Sequence, residues 1–402
     1  MRLKDGSLGH LTYCTNIHLG ESWTDLEPQL RRHLPAVKAQ VAPDAPFGVG
    51  LRLSALATEE LSRPDRLAAF RDWLAAEDLY VFTLNGFPYG TFHGTPVKRT
   101  VYRPDWRLPE RLDYSGRLAA VLAELLPEGG EGSVSTVPGA WKGDATAADD
   151  AERVADGLIR HAADLHRLRG TTGRTIVLAL EPEPGCLLET MDETVSFFQR
   201  HLHSDAAARR LGALTGLTSE AAADALRRHL GVCLDCCHAA VEFEDPVAAA
   251  DRLIEAGIRI GKLQLSVSAA LRVERADAAA LRALAAFDDP VYLHQAVIRH
   301  GDGRLERFDD LPDALARYGQ GADGTEWRVH FHVPVFLDDL GAFRTTAPDL
   351  ARLLARQRRA PLTAHLEVET YSFGVLPPAL QRDSVVDSLV RELNWVRAEL
   401  WA

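Results

Sequence analysis

The sequence predicts a (β/α)8 TIM barrel, and two observations lead to this prediction. Short apolar segments typical of buried strands alternate with longer amphipathic segments typical of helices, which is the pattern of a parallel α/β fold. Polar residues also stand at or near the carboxyl ends of four strand-like segments, and these residues are Glu181, Asp235, Gln264 and Glu367. A parallel barrel presents such side chains together at its catalytic face.

The composition is that of an ordinary soluble globular protein, with 402 residues, 46% hydrophobic and 25% charged. A net charge of −12 argues against a surface that binds nucleic acid or an anionic membrane. No apolar run approaches the roughly 20 residues of a membrane span, and no apolar signal region follows the first charged residues. We therefore expect a cytoplasmic protein. The five cysteines, three of which lie within residues 233–237, suit a reducing compartment better than a disulfide framework.

Seven strand–helix units can be counted up to Gln264. Apolar residues recur at helical spacing between the strands, as Leu67, Phe70 and Leu74 do in the second unit. The predicted strands are 10–16, 48–54, 79–85, 132–138, 175–181, 231–235 and 259–265. The predicted helices are 26–38, 58–76, 111–126, 147–169, 189–203, 219–229 and 246–256, with a last helix over 383–401.

Two segments compete for the eighth strand, residues 329–335 and residues 364–369. Pro334 would remove a ladder hydrogen bond from a central strand, so we prefer the second segment. Residues 266–336 then form a long insertion before the last strand. Because no linker or internal repeat interrupts the pattern, we interpret residues 1–402 as a single barrel domain.

Three carboxylates and an amide oxygen would make a hard, oxygen-rich site, which suits Mn²⁺, Mg²⁺ or Co²⁺ better than a structural Zn²⁺. A cation there could chelate adjacent oxygens of a hydroxy-ketone and acidify the neighbouring C–H. Glu181 and Glu367, on opposite sides of that carbon, could then remove and return a proton. The alternative is that each carboxylate is half of a structural ion pair.

The strand that ends in Glu181, the Leu-Asp-x-x-His motif at 234–238 and the Leu-Glu at 366–367 resemble the xylose-isomerase-like barrels. That superfamily includes sugar epimerases, inosose dehydratases and endonuclease IV. The resemblance implies that Glu181, Asp235 and Glu367 bind a divalent metal ion (Mn, Mg, Co or Zn) and that His238 contacts substrate. The fourth ligand of the superfamily is usually a histidine, where this chain has Gln264.

Longer motifs resemble one branch, the EboE family, across essentially the whole chain. They are TYCTNIHLGESW at 12–23, NGFPYGTFHG at 85–94, STVPG at 135–139 and HLEVETY at 365–371. The family belongs to gene clusters linked to traffic of secondary metabolites or their precursors. The resemblance implies a metabolite-handling protein whose partners are a small-molecule substrate and other proteins of the same pathway.

Neutral donors and acceptors follow several strands and are candidates for contacting substrate hydroxyl groups. Lys262 shares a strand face with Gln264, and it could place a cation by the substrate or pair with a ligand carboxylate. His332 could be the missing imidazole ligand or a hydrogen-bonded structural histidine. The substrate-binding candidates are therefore His238, Asn16, His18, Asn85, His93, Lys262 and His332.

Aromatic residues of the loop 87–93 could line the pocket or pack among themselves. Together these features favour a divalent-metal-dependent isomerase or epimerase that acts on a sugar-like or polyhydroxylated intermediate. A non-catalytic metabolite-binding or scaffold protein is the alternative, motivated by Gln264 and by the aromatic loop. A nuclease is disfavoured because the net charge has the wrong sign for a nucleic-acid groove.

Overall fold

Eight parallel strands form a barrel at the centre of the molecule. The computed structural model describes residues 1–94, 96–273, 278–286, 288, 290–318, 325–371, 373 and 384–401. The barrel strands are β1 (His10–Tyr13), β2 (Phe47–Arg52), β3 (Leu79–Asn85), β4 (Glu131–Thr136), β5 (Thr175–Leu180), β6 (Leu230–Asp235), β7 (Ile260–Leu265) and, after a second sheet, β13 (His365–Val368). They pair in the order β1-β13-β7-β6-β5-β4-β3-β2, and a parallel bridge between Cys14 and Gly50 joins the two ends.

The closing strand is the one that the sequence analysis preferred. β13 pairs in parallel with β1 on one side and with β7 on the other, with Glu367 opposite Gln264. The competing segment contributes only its first residue to a strand of a different sheet, and residues 330–335 that follow are not in a strand. Pro334 lies in that irregular stretch, as expected for a residue that cannot donate to a ladder.

Helices surround the barrel, and those that contact its strands bury apolar residues against them. They are α1 (Trp23–Val41), α2 (Ala55–Leu61), α3 (Pro64–Ala76), α4 (Pro109–Leu125), α5 (Asp150–Thr172), α6 (Met191–Phe197), α7 (Asp205–Thr215), α8 (Ser219–His229), α9 (Cys236–Val241), α10 (Pro246–Glu255), α11 (Ala278–Ala285), α12 (Leu311–Tyr318), α13 (Ala347–Arg359) and α14 (Val385–Trp401). Residue 383, the predicted start of the last helix, lies outside the described residues. Among the described helices, none combines the length and the apolar character required to cross a membrane.

The segment between β7 and α13 folds into a second sheet. Its strands are β8 (Ala269–Val273), β9 (Ala296–Arg299), β10 (Leu305–Phe308), β11 (Thr325–Val329) and β12 (Arg344–Thr345), in the antiparallel order β10-β9-β11-β8-β12. Trp327 and Ile298 of this sheet belong to the same hydrophobic cluster as Leu366 of the barrel. The insertion therefore packs on the barrel, and the interpretation as a single domain stays a prediction.

Candidate active site

Three carboxylates meet at the carboxyl ends of the barrel strands. Glu181 follows the last residue of β5, Asp235 is the last residue of β6, and Glu369 follows the last residue of β13. One oxygen from each of the three lies within 4.8 Å of the others, and all three side chains are buried. One oxygen of Glu181 and one of Asp235 have no hydrogen-bond partner among the described residues. Buried carboxylates this close need a compensating charge.

Asp235 is held by the turn that follows its strand. Its side chain is the N-cap of α9, because Oδ1 accepts a hydrogen bond from the His238 backbone amide at 3.0 Å. The Ser266 hydroxyl donates to the same oxygen at 2.5 Å. The second oxygen, Oδ2, has no hydrogen-bond partner among the described residues and lies 3.9 Å from His238 Nε2. In the Asp-x-x-His motif, Asp235 is thus the helix cap and His238 is the residue whose backbone amide it binds. The cap therefore fixes the position of the His238 backbone.

Two amides orient Glu369. Asn16 Nδ2 donates to Glu369 Oε1 at 2.6 Å, and Asn85 Nδ2 donates to the same oxygen at 3.1 Å. The two asparagines follow β1 and end β3, so three strands of the barrel fix this one carboxylate. Both donors hold Oε1 in place, and the second oxygen, Oε2, lies 3.4 Å from His332 Nδ1.

Burial raises the pKa of Glu181 well above its ordinary value. The neighbouring carboxylates Glu369 and Asp235 raise this pKa further, whereas the ammonium group of Lys262 opposes the rise. The protonated form of Glu181 is therefore more favoured than that of an exposed glutamate. A divalent cation would oppose this rise in the pKa, because it would offset the repulsion among the carboxylates.

Glu367 and Gln264 lie with Lys262 rather than with the other carboxylates. Lys262 Nζ forms an ion pair with Glu367 Oε2, and both side chains are fully buried. Gln264 is the register partner of Glu367 where β7 pairs with β13. Burial raises the pKa of Glu367, and Lys262 opposes that rise. Among the described residues, one of the four side-chain groups with metal-holding spacing contains Glu369, and none of them contains Glu367. The role of Glu367 and Gln264 as ligands stays a prediction, and the geometry favours Glu369.

The sequence contained the signal for Glu369. Glu367 and Glu369 are two residues apart on one strand and so point to the same side of the sheet. Glu181 and Asp235 stand at the very ends of their strands, and Glu369 occupies the matching position after β13. A strict comparison of strand ends would therefore have selected Glu369, whereas the Leu-Glu motif led to Glu367.

Three histidines lie next to the carboxylates. His238 comes from α9, and His330 and His332 follow β11 of the second sheet. His238 Nε2 is 3.2 Å from His330 Nε2, which is 2.9 Å from His332 Nε2. Burial, followed by the other histidines, lowers the pKa of His330 well below its ordinary value, so this imidazole is neutral. His330 and His332 are two residues apart, and no local sequence pattern joins them to His238, which lies 92 positions from His330.

A polar network supports His330 from behind. Gln295 Oε1 lies 2.7 Å from His330 Nδ1, and Gln295 Nε2 donates to Glu183 Oε1 at 2.9 Å. The Tyr102 hydroxyl donates to the same Glu183 oxygen at 2.6 Å. Gln295 precedes β9 and Glu183 follows β5, so the network joins the second sheet to the barrel. Because these contacts join residues far apart in the chain, no local sequence pattern predicts them.

His18 and His93 are held by other groups. His18 Nε2 lies 2.9 Å from the Tyr13 hydroxyl, and its ring stacks on His33. His93 Nε2 lies 2.6 Å from the Asn16 backbone oxygen. Neither lines the pocket described below, whereas Asn16, Asn85, His238 and His332 do.

A pocket of about 570 Å³, part of it open to solvent, lies above the carboxylates. Phe87 and Phe92 of the aromatic loop line it, together with Tyr292 and Tyr371. Phe92 and Tyr292 pack with ring centres 5.1 Å apart, and Tyr371 stacks on His332 at 4.8 Å. One wall of the pocket is thus aromatic, and its floor carries carboxylates, amides and imidazoles, an arrangement suited to a small polar ligand with an apolar face.

No protein-family model matches the sequence, and no curated protein matches it. Solved structures do match. A xylose isomerase-like TIM barrel protein from Mycobacterium smegmatis in complex with magnesium has a TM-score of 0.50 and 11% identity, covering 98% of this chain and 97% of that chain. The probable 3-DHS dehydratase AsbF from Bacillus anthracis, involved in petrobactin synthesis, has a TM-score of 0.47 and 12% identity, covering 96% and 97%. The IOLI protein with a bound zinc atom has a TM-score of 0.45 and 13% identity, covering 97% of each chain.

The eight parallel strands and their helices define a (β/α)8 barrel with its polar cluster at the catalytic face. Because the mycobacterial structure has a similar barrel, the fold of this chain is that of the xylose-isomerase-like barrels. At this identity the likeness concerns the fold alone.

Proposed function

We propose that this protein is a divalent-metal-dependent isomerase or epimerase that moves a proton at a carbon next to a carbonyl group of a sugar-like or polyhydroxylated molecule. The observation that carries the proposal is the convergence of Glu181, Asp235 and Glu369 on one point beneath the pocket. Structural ion pairs would give each carboxylate a Lys or Arg partner. Among the described residues, Asp235 and Glu369 instead lie near histidines, His238 at 3.9 Å and His332 at 3.4 Å, and one oxygen each of Glu181 and Asp235 has no hydrogen-bond partner.

The three carboxylates fit a hard divalent cation. They supply oxygen donors from three strands, and the unpartnered oxygens of Glu181 and Asp235 are the atoms that would hold it. When bound, Mn²⁺, Mg²⁺ or a similar ion would polarise the carbonyl oxygen of the substrate and so acidify the adjacent C–H.

Residues of this chain have separate roles in the rest of the proposed reaction. Glu181 lines the pocket and has one oxygen without a hydrogen-bond partner among the described residues, so it is our candidate for taking and returning the substrate proton. Asn16 and Asn85 orient Glu369. Asn16 Oδ1, which has no hydrogen-bond partner among the described residues, and the imidazole of His238 can bind hydroxyl groups. Phe92 with its aromatic neighbours excludes water from the reacting carbon.

The aromatic wall favours a second candidate, capture of a metabolite without chemistry. Phe87, Phe92, Tyr292 and Tyr371 would bind a ring-shaped ligand whether or not the carboxylates act on it. The resemblance to the EboE family supports this role in metabolite traffic, in which other proteins of the same pathway would be the partners.

Solvent proton exchange distinguishes the two candidates. The protein, loaded with Mn²⁺, is incubated in D₂O with a panel of ketoses and cyclic polyol ketones, and mass spectrometry measures deuterium at carbon. The isomerase proposal expects exchange with at least one compound and its loss in Glu181→Gln. The control is Glu392→Gln, which changes a buried glutamate that hydrogen-bonds Thr370 outside the pocket. Binding of a compound with no exchange in the unaltered protein would favour capture alone.

A further inference from the structure

Glu183 is a buried carboxylate of the pocket that the proposed reaction does not use. It lines the pocket and is 5% exposed. The Tyr102 hydroxyl donates to its Oε1 at 2.6 Å, and Gln295 Nε2 donates to the same oxygen at 2.9 Å. Both hydrogen bonds from the described residues thus end on Oε1. The other oxygen, Oε2, is left to accept a hydrogen bond from a molecule in the pocket.

Glu183 also has no Lys or Arg partner among the described residues. The basic groups near it are imidazoles, because His330 Nδ1 lies 3.7 Å from Oε1 and a His238 ring nitrogen lies within 4.8 Å of a Glu183 oxygen. Burial and then the neighbouring histidines lower the pKa of His330 well below its ordinary value, so this imidazole carries no charge. A buried carboxylate in such surroundings gains from a cation brought by a ligand.

The pocket as a whole is acidic. Glu181, Glu183 and Glu369 line it, and Lys98 is the one Lys or Arg among its described lining residues. Lys98 Nζ already pairs with Asp310 at 2.7 Å. A divalent cation held by the three strand-end carboxylates would offset the charge of that group, to which Glu183 does not belong. The charge of Glu183 would therefore remain to attract a ligand.

Aromatic rings face the same pocket. Phe92, Tyr292 and Tyr371 line it, with ring centres 5.0 to 5.8 Å apart. Tyr102, which donates to Glu183, lines it as well. The face of an aromatic ring carries partial negative charge and attracts cations. The rings and the carboxylate thus favour a positively charged group over a neutral one, and both disfavour an anion.

We propose that the molecule bound in this pocket carries a protonated amine, and that Glu183 Oε2 and the neighbouring aromatic rings bind its ammonium group. The substrate class is then an amino sugar or an aminocyclitol, and not a sugar phosphate. A phosphate group would meet three carboxylates and a lysine that is already paired. The inference rests on the proposed function for the sugar-like character of the ligand, whereas its charge follows from the lining residues.

Two matched series of compounds test the charge preference. One contains fructosamine, fructose and the fructose phosphate that is esterified at the same carbon, and the other contains an inosamine, the inositol and its monophosphate. Isothermal titration calorimetry measures the Kd of each compound for the protein loaded with Mg²⁺. In at least one series we expect the amine to bind about 10-fold more tightly than the alcohol, because a hydrogen bond between charged groups is the stronger one. The phosphate should bind most weakly.

Glu183→Gln removes the charge and keeps the size of the side chain. It should reduce the preference for the amine over the alcohol to about 3-fold, the part that cation–π contacts supply. Glu189→Gln is the matched control, because Glu189 is also a buried glutamate after β5 but pairs with Lys142 at 2.7 Å and does not line the pocket. This variant should keep the full preference.

The comparison of compounds in the unaltered protein stands even where a variant does not fold. An alcohol that binds as tightly as its amine would show that Glu183 is neutral in the complex and would overturn the proposal. A phosphate that binds more tightly than the amine would do the same, as would a full preference retained in Glu183→Gln or no measurable binding of either amine.

Deuterium exchange separates this inference from the isomerase proposal. If the amine binds most tightly and no compound exchanges deuterium at carbon, the charge preference stands and the isomerase proposal fails. If an alcohol exchanges deuterium and neither amine binds more tightly than its alcohol, the isomerase proposal stands and the charge preference fails.

Discussion

Replacing Lys262 with Met should destabilise the protein strongly, because Glu367 would remain buried without its counter-charge. Both side chains are fully buried, and their ion pair lies inside the barrel. Removing one partner of such a pair costs about 3–5 kcal/mol, which is a large part of the roughly 5–15 kcal/mol that stabilises a typical domain. Glu367 can escape part of this cost by taking up a proton, so the loss should be larger at pH 8 than at pH 5.

Removing both charges should recover most of the loss. In Lys262→Met combined with Glu367→Gln no buried charge remains, and we expect the free energy of unfolding to return to within about 1–2 kcal/mol of the starting value. Urea unfolding followed by circular dichroism measures all three variants. Arg31→Met is the control, because its pair with Glu27 is on the surface and is worth less than about 1 kcal/mol.

A loss below about 1 kcal/mol in Lys262→Met would refute this reasoning. So would a double variant no more stable than the single one, since the cost would then lie in packing and not in the unpaired charge.

Three further predictions concern residues around the site. Gly50→Ala should cost about 1–3 kcal/mol in urea unfolding, because a Cβ would lie 1.8 Å from Glu367 Oε1, whereas Gly116→Ala in α4 has open space and should be neutral or stabilising. Asn85→Ala should weaken Mn²⁺ binding roughly 10-fold with an unchanged circular dichroism spectrum, because Glu369 loses an orienting donor; unchanged affinity would contradict this. Burial raises the pKa of Glu392 to about 7, so the folded protein binds a proton that the unfolded chain releases, and stability should fall by about 3 kcal/mol as the pH rises from 4.5 to 7; Glu392→Gln should lack this component, and equal pH profiles would disprove it.

The fold could be predicted from the sequence because the pattern that identifies each strand or helix lies within a short stretch of the chain. Alternating strand and helix patterns, with Glu181 and Asp235 at strand ends, sufficed for the barrel. The choice of the closing strand depended on one residue, Pro334, whose missing amide proton has a definite structural consequence.

The site was only partly predictable, for physical reasons that differ between residues. Glu367 and Glu369 share a strand face, and only three-dimensional packing decides which one Lys262 neutralises. His330 reaches His238 across 92 positions of the chain, through a sheet whose pairing no local pattern specifies. Asn16 follows β1 and Asn85 ends β3, and both contact Glu369, whereas their expected contact with substrate hydroxyl groups stays a prediction.

Mn²⁺ content in a set of Glu→Gln variants tests the central claim most directly. Each purified protein is dialysed against Mn²⁺, freed of excess metal and analysed by plasma mass spectrometry. The account predicts that Glu181→Gln and Glu369→Gln lose the ion that the unaltered protein retains, whereas Glu367→Gln keeps it. Loss of the ion in Glu367→Gln with retention in Glu369→Gln, in proteins of unchanged circular dichroism, would contradict it.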